Sequence, residues 1–273
     1  MSISHFDQPR DERIAAAAVD VRVNMLGVGV AGINLDETVA TLEKWREHKQ
    51  RDYVCCVTVH GLVMSQKDPM VRSALNRAGL ATMDGMPLVW WCRLAGSAHA
   101  SRVCGPDLLE AMCARGPARG HRHFFYGSSP QVVAQLVARL THQFPGLNVV
   151  GSISPPFRPL TAEEDAAEVA AINEARPDFV WVGIGMPKQE KWMASHVGRI
   201  DAAALIGVGA AFDFHAGTKP RAPRWIQQTG FEWLFRLLSE PRRLAHRYIV
   251  DNAYFAACAV RQLTGLKSYP RNW

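Results

Sequence analysis

The chain has six cysteines (Cys55, Cys56, Cys92, Cys104, Cys113 and Cys258) but no C-x-x-C pair, so neither a zinc knuckle nor a redox dithiol is indicated. Reduced, buried cysteines of a cytoplasmic protein are the simplest expectation. No apolar run approaches the roughly 18 residues needed to span a bilayer, and the longest late candidate, residues 253–260, is far shorter. No secretory leader is expected after Met1, because Asp7, Asp11 and Glu12 interrupt the place of its apolar region. Also missing are a G-x-S-x-G elbow, an H-E-x-x-H helix and a P-loop, which removes three common hydrolase signatures. Nor is there a D-x-D pair of the sort that holds a metal–nucleotide diphosphate.

What is present can bury one sizeable core: 273 residues, 48% of them hydrophobic. The net charge of +6 is unevenly placed. Residues 219–273 hold ten basic side chains against three acidic ones, a segment charge of +7, which leaves −1 for all that precedes. In that tail Trp225, Phe231, Trp233, Leu234, Leu238, Tyr248 and Phe255 interleave with arginines, including Arg236, Arg243 and Arg247. Such a basic, aromatic-rich amphipathic pattern suits anionic phosphates, whether lipid headgroups or a substrate diphosphate. Arginine favours phosphate through bidentate hydrogen bonds. Nucleic acid is the weaker partner reading, because the aromatics group with leucines in apolar stripes instead of alternating with polar groups as stacking platforms do. A plain solvated helical face is the bland alternative.

Along the chain, strand-like and helix-like stretches alternate. Strands are expected at 21–30, 53–59, 80–83, 123–126, 147–153, 179–184 and 203–208, and helices at 36–47, up to about 78, 87–94, 106–114, 130–143 and 161–175. This pattern predicts an α/β fold, a mostly parallel sheet with helices on both faces. Three parts are expected: an N-terminal arm at 1–18, a core at 19–220 and a basic helical appendage at 221–273.

The run Gly27-Val28-Gly29-Val30-Ala31-Gly32 fits G-x-G-x-x-G, yet the helix-capping signal Asp36-Glu37-Thr38 comes only later. A dinucleotide site needs the helix to begin within the glycines. A hairpin or strand turn is therefore the better reading, with a nicotinamide oxidoreductase as the rival function.

The stretch 178–190, DFVWVGIGMPKQE, reads as strand, loop and helix: an apolar run breaks at Gly185 and Pro187, and polar Lys188, Gln189 and Glu190 follow. In a parallel sheet this junction lies at the carboxyl edge, where ligands bind. Asp84, between a short strand and a Pro-started helix, can take a proton from a hydroxyl or cap the helix. Thr58 and His60 end the preceding strand at the same edge, although His60 could equally be a core histidine. Arg102 enters another loop there, Gly127 ends another strand, and Asp213 is a candidate ribose or base contact.

Together the segments DGMPLVWWCRLAG, RVCGPDLLEAM, HFFYGSS, VGIGMPKQEKWM, IGVGAAFDFHAGTKPRAP and GFEWLFRLLSEPRRLAHRY resemble the WecG/TagA/CpsF family of bacterial glycosyltransferases, over roughly residues 20–250. The resemblance implies a Rossmann-like core that binds a UDP-sugar and a C-terminal appendage that meets the cytoplasmic membrane from its inner face. It implies an inverting, metal-independent transfer without cofactor to a polyprenyl-diphosphate-linked sugar, in surface or exopolysaccharide assembly. Nucleic acid is not an expected partner, and a homo-oligomer is compatible with the resemblance. By the same likeness Asp84 is the general base, Thr58 its pocket neighbour, and Arg102 a diphosphate or acceptor contact. Gln189 then contacts substrate, flanked by Lys188 and Glu190, and Arg236, Arg243 and Arg247 offset charge on departing UDP. His60 departs from the family, many of whose members carry Asn two residues after the threonine. Glucose, N-acetylmannosamine and its uronic acid all stand as the donated sugar.

Overall fold

The computed structural model describes residues 22–271 and 273, without the side chains of Arg224, Gln228, Arg243 and Arg247; the expected arm at 1–18 lies outside the described residues. The first apolar run is not one strand but two. β1 (Arg22–Met25) and β2 (Val28–Ala31) pair antiparallel through a two-residue turn in which Leu26 and Gly27 both have positive φ, 54° and 82°. Two positive φ values give the twist that a tight hairpin needs. The glycine-rich run thus serves a hairpin, as its spacing predicted. α1 (Leu35–Glu47) starts beyond it on a capping box: Asn34 accepts from the Glu37 amide at 3.0 Å, and the Glu37 side chain accepts from the Asn34 amide at 2.9 Å. Asn34, rather than the Asp36 cluster, is the cap.

Six further strands form the main sheet: β3 (Asp52–Val57), β4 (Leu80–Met83), β5 (Arg122–Gly127), β6 (Asn148–Ile153), β7 (Phe179–Gly183) and β8 (Ala204–Gly207). Their order is β4-β3-β8-β7-β5-β6, and every described pair is parallel. The inner strands alternate between two buried faces, as a covered parallel sheet requires, while the edge strand β6 buries none of its residues. Tyr53, Cys55, Val180 and Val182 face one cluster, while Val54, Phe179 and Trp181 face the other. The first face is covered by α2 (Val59–Lys67), α3 (Pro69–Arg77), α4 (Met86–Leu94), α7 (Ala162–Ala175) and α8 (Lys188–His196). The second is covered by α1, α5 (Gly105–Arg119), α6 (Pro130–Gln143) and α9 (Ala211–Ala216).

Between residues 59 and 78 one helical stretch proves to be two. Pro69 lacks an N–H and disfavours helix at the residue before it, so Asp68 ends α2 and caps α3, accepting from Met70 at 2.9 Å.

α10 (Arg224–Thr229), α11 (Glu232–Ser239) and α12 (Pro241–Leu263) follow. α11 buries none of its residues. The far half of α12, by contrast, belongs to the core: Phe255, Cys258 and Ala259 are buried on the first face, with Phe255 5.9 Å from Trp91 ring to ring. Gln262 bonds the Leu26 amide at 2.9 Å and the Asn24 carbonyl at 2.8 Å, tying α12 to the hairpin. The charge transition near residue 220 is therefore not a packing boundary for α12. No described helix is long and apolar enough to cross a membrane.

Candidate active site

The connection after β5 leads to β6 on one side, and the connection after β7 leads to β8 on the other. That reversal opens a crevice at the carboxyl ends of β5 and β7, the place where open α/β sheets bind ligands. Three confluent cavities extend from it along this edge. The outermost, about 690 Å³, is lined by Tyr126, Ser128, Lys188, Trp192, Asp213 and Lys219. It meets the second at Gly185, Gly209 and Ala210. The second, about 200 Å³, reaches Gln189, Phe214 and Arg236, and shares Thr58, Asp84, Glu232 and Arg236 with the third. The third, about 130 Å³, adds His60, Arg102, Trp233 and Tyr248, so α11 and α12 supply one of its walls.

Asp84 stands where the second and third cavities meet. It does not cap α4: Gly85, at φ 146°, holds that position with no side-chain cap bond. The carboxylate of Asp84 makes no hydrogen bond to any described residue. Burial raises its pKa, Arg102 and Arg236 pull it back, and Glu232 and Asp107 push it up again, leaving it at about 6. A carboxylate so poised, with no structural bond to hold it, is suited to accept a proton near neutral pH.

Its neighbours are firmly placed. Thr58 is the N-cap of α2, its hydroxyl accepting from the Gly61 amide at 3.1 Å, so it has a structural role beside its place in the pocket. His60, in the first turn of α2, pairs through Nδ1 with the buried Asp251 of α12 at 2.5 Å; it is a pocket residue and not a core histidine. Arg102 donates to Glu232 of α11, to Asp107 at 3.3 Å and to Gln227 at 3.4 Å. Arg236 lies 5.4 Å over the Phe214 ring. Arg243 and Arg247 lie on α12, with side chains outside the described ones.

The motif that reads as a polar loop is helical instead. Lys188, Gln189 and Glu190 form the first turn of α8, and only Lys188 faces the outer cavity. Gln189 is buried across the end of β8, where a Cβ on Gly207 would come within 3.0 Å of its Nε2. Its Nε2 donates to Glu190 at 3.0 Å, while its Oε1 borders the second cavity without a partner among the described residues. Glu190 is fully buried, lines none of these cavities and accepts from Gln189. Gly127 also stays off the cavity walls. A Cβ there would come within 2.6 Å of Gly183, and its glycine lets β5 and β7 approach. Gly185 and Asp213 do line the outer cavity.

The chain matches the family model for glycosyl transferases of the WecG/TagA/CpsF family over residues 23–269. It belongs to that family. The WecG/TagA/CpsF family carries glycosyltransferase activity in cell-surface polysaccharide synthesis, so this is an enzyme with a sugar donor and a sugar acceptor.

For a WecG/TagA/CpsF enzyme, the sequence reading missed four residues of the site. Glu232 puts a second carboxylate beside Asp84. Asp107 and Arg221 pair at 2.5 Å and brace Arg102. Burial works against the charge of Asp107, but the Cys104 thiol and the guanidiniums of Arg221 and Arg102 outweigh it and hold the carboxyl below its ordinary value. Asp251 orients His60. Glu232 and Asp251 are two of just three acids in the basic tail, and Glu232 also falls within the segment GFEWLFRLLSEPRRLAHRY. Cys56 and Cys104 line the second cavity, where burial raises both thiols far above their usual range and disfavours the thiolate.

Proposed function

We propose that the enzyme transfers a sugar from a UDP-sugar to a polyprenyl-diphosphate-linked sugar at the inner face of the cytoplasmic membrane, for surface or exopolysaccharide assembly. The observation that carries this reading is the continuity of the three cavities, with an unbonded carboxylate at the inner junction. The donor nucleotide lies in the outer cavity, with its diphosphate near the N-terminus of α8 and Lys188, where amides and a cation favour an anion. Asp213 is in place for a ribose hydroxyl. The donor sugar occupies the second cavity, where the free Oε1 of Gln189 accepts from a hydroxyl. The acceptor sugar enters the third cavity, between the core and the C-terminal helices.

Asp84 takes the proton of the acceptor hydroxyl as its oxygen attacks the anomeric carbon. The bond from that carbon to the diphosphate oxygen breaks, the electron pair leaves with UDP, and the anomeric centre inverts. Arg236 and Lys188 offset the charge that develops on the leaving group. α10–α12 carry exposed apolar side chains, including Trp225, Leu238 and Ile249, together with the exposed Arg242. That combination supports contact with an anionic bilayer that delivers the acceptor.

The test is UDP release by the full-length protein with a panel of UDP-sugars and a short-chain polyprenyl-diphosphate-sugar, with and without EDTA. Acceptor-dependent release with one donor, unchanged by EDTA, is expected. No release with any donor, together with no UDP binding, overturns the reading.

A further inference from the structure

Phe157 is the most exposed large apolar side chain of the described residues, at 90%. Single exposed apolar residues are ordinary on protein surfaces. Phe157 differs in its position and its support. It lies in the 154–161 connection between β6 and α7 and lines the outer cavity together with residues at the ends of β5 and β7.

The connection is braced. Pro155, Pro156 and Pro159 restrict its backbone, since each proline fixes its own φ. Arg158 clamps Glu164 of α7 through two hydrogen bonds of 2.7 Å. The same Glu164 accepts from the Thr161 amide at 2.9 Å, and Thr161 caps the helix. The phenyl ring is thus carried on a segment with little freedom to fold it away.

The other aromatic rings of this cavity are already engaged. Trp192 stacks on Tyr126 at 4.3 Å and on His196 at 4.1 Å. Tyr126 is itself buried, its hydroxyl donating to Glu168 at 2.7 Å, and His196 bonds Asp165 at 2.8 Å. Lys188, after β7, and Asp213 and Lys219, after β8, line the cavity from strands further into the sheet than β6, while Arg158 beside Phe157 is taken up by Glu164. A nucleoside diphosphate has this same division, a flat base at one end and a ribose with anions at the other.

We propose that Phe157 is the stacking partner for the base of the donor nucleotide, closing the outer cavity over it. This rests on the donor assignment made above and adds the residue that determines base affinity. The polar wall holds the ribose and diphosphate, and the face of Phe157 covers the base.

The experiment is calorimetric titration of the full-length protein with UDP, comparing wild type, Phe157→Ala and Phe157→Tyr, beside inhibition by inorganic pyrophosphate, which has no base. Base–aromatic stacking predicts that Phe157→Ala weakens UDP binding about tenfold or more. The donor KM should rise by the same factor with kcat nearly unchanged. Phe157→Tyr should bind within about threefold of wild type, because a phenol stacks as a phenyl does. Pyrophosphate inhibition should be equal in all three, which separates loss of stacking from loss of the loop. Equal UDP affinity in wild type and Phe157→Ala overturns the inference and leaves the donor cavity standing. A parallel weakening of pyrophosphate also overturns it. Wild-type protein that binds no UDP overturns the donor assignment itself.

Discussion

Arg102, in the loop before α5, and Glu232, in the first turn of α11, form an ion pair that joins the core to the C-terminal helices beside Asp84. Both side chains are largely buried, at 14% and 15% exposure. Removing Glu232 leaves Arg102 its bonds to Asp107 and Gln227 but takes away its tie to α11. Because no residue of α11 is fully buried, Glu232→Gln should loosen this helix first. Amide exchange over residues 232–239 should speed up about tenfold, while exchange in the β-sheet stays unchanged. Unchanged exchange in α11 would show that other contacts hold the helix.

Asp84→Asn should reduce transfer by about a thousandfold, in the range expected for loss of a positioned base, with UDP affinity retained. The same change should stabilise the fold. The carboxyl has a raised pKa in the folded protein, so its ionised form is disfavoured there relative to the unfolded chain. That penalty is present above pH 6 and vanishes below about pH 4, where both states are protonated. At pH 7.5 the asparagine variant should gain on the order of 1–3 kcal/mol, and at pH 4 almost nothing. Melting at the two pH values checks this, and an equal gain at both would assign the effect to something other than charge burial.

The pH dependence of catalysis follows from the same group. Since the base must be ionised, kcat/KM of the wild type should rise with pH through about 6 and level off above it. A profile flat down to pH 5 would exclude Asp84 as the base.

α12 should prove part of the folded body. Phe255 is buried against Trp91, and Phe255→Ala should cost about 3 kcal/mol and lower Tm by about 6–12 °C. A fragment ending at residue 220 should show no cooperative melt, because it lacks Leu244, Phe255, Cys258 and Tyr269, all buried in the intact chain. A sharp transition in that fragment would make the tail an independent appendage.

Membrane contact is separable from folding. Leu238 and Ile249 are 74% and 65% exposed, so replacing both with Glu should leave Tm within about 2 °C. Binding to anionic vesicles, measured by sedimentation, should fall at least tenfold. Undiminished binding would move the contact surface elsewhere.

The sequence by itself determined the class of this fold, because alternating apolar periods of two and 3.6 residues admit few arrangements once the core is large enough. It also determined that Thr58, Asp84 and Gln189 would gather, since each follows a strand of one parallel sheet and so must lie at one edge; Arg102, between α4 and α5, is brought there by packing. It could not distinguish which polar residues at that edge meet a ligand. Lys188, Gln189 and Glu190 are adjacent in the chain, yet the helical rotation of α8 sends the first to a cavity and buries the third. Gly127 reads as a ligand contact but serves the close approach of two strands. Glu232 and Asp251 carry no local signature at all. They matter because α11 and α12 fold back over the sheet edge and set them beside Arg102 and His60, residues about 130 and 190 positions earlier. That return is decided by packing, by Phe255 and Cys258 finding the apolar surface of the first face, and no short-range pattern encodes it.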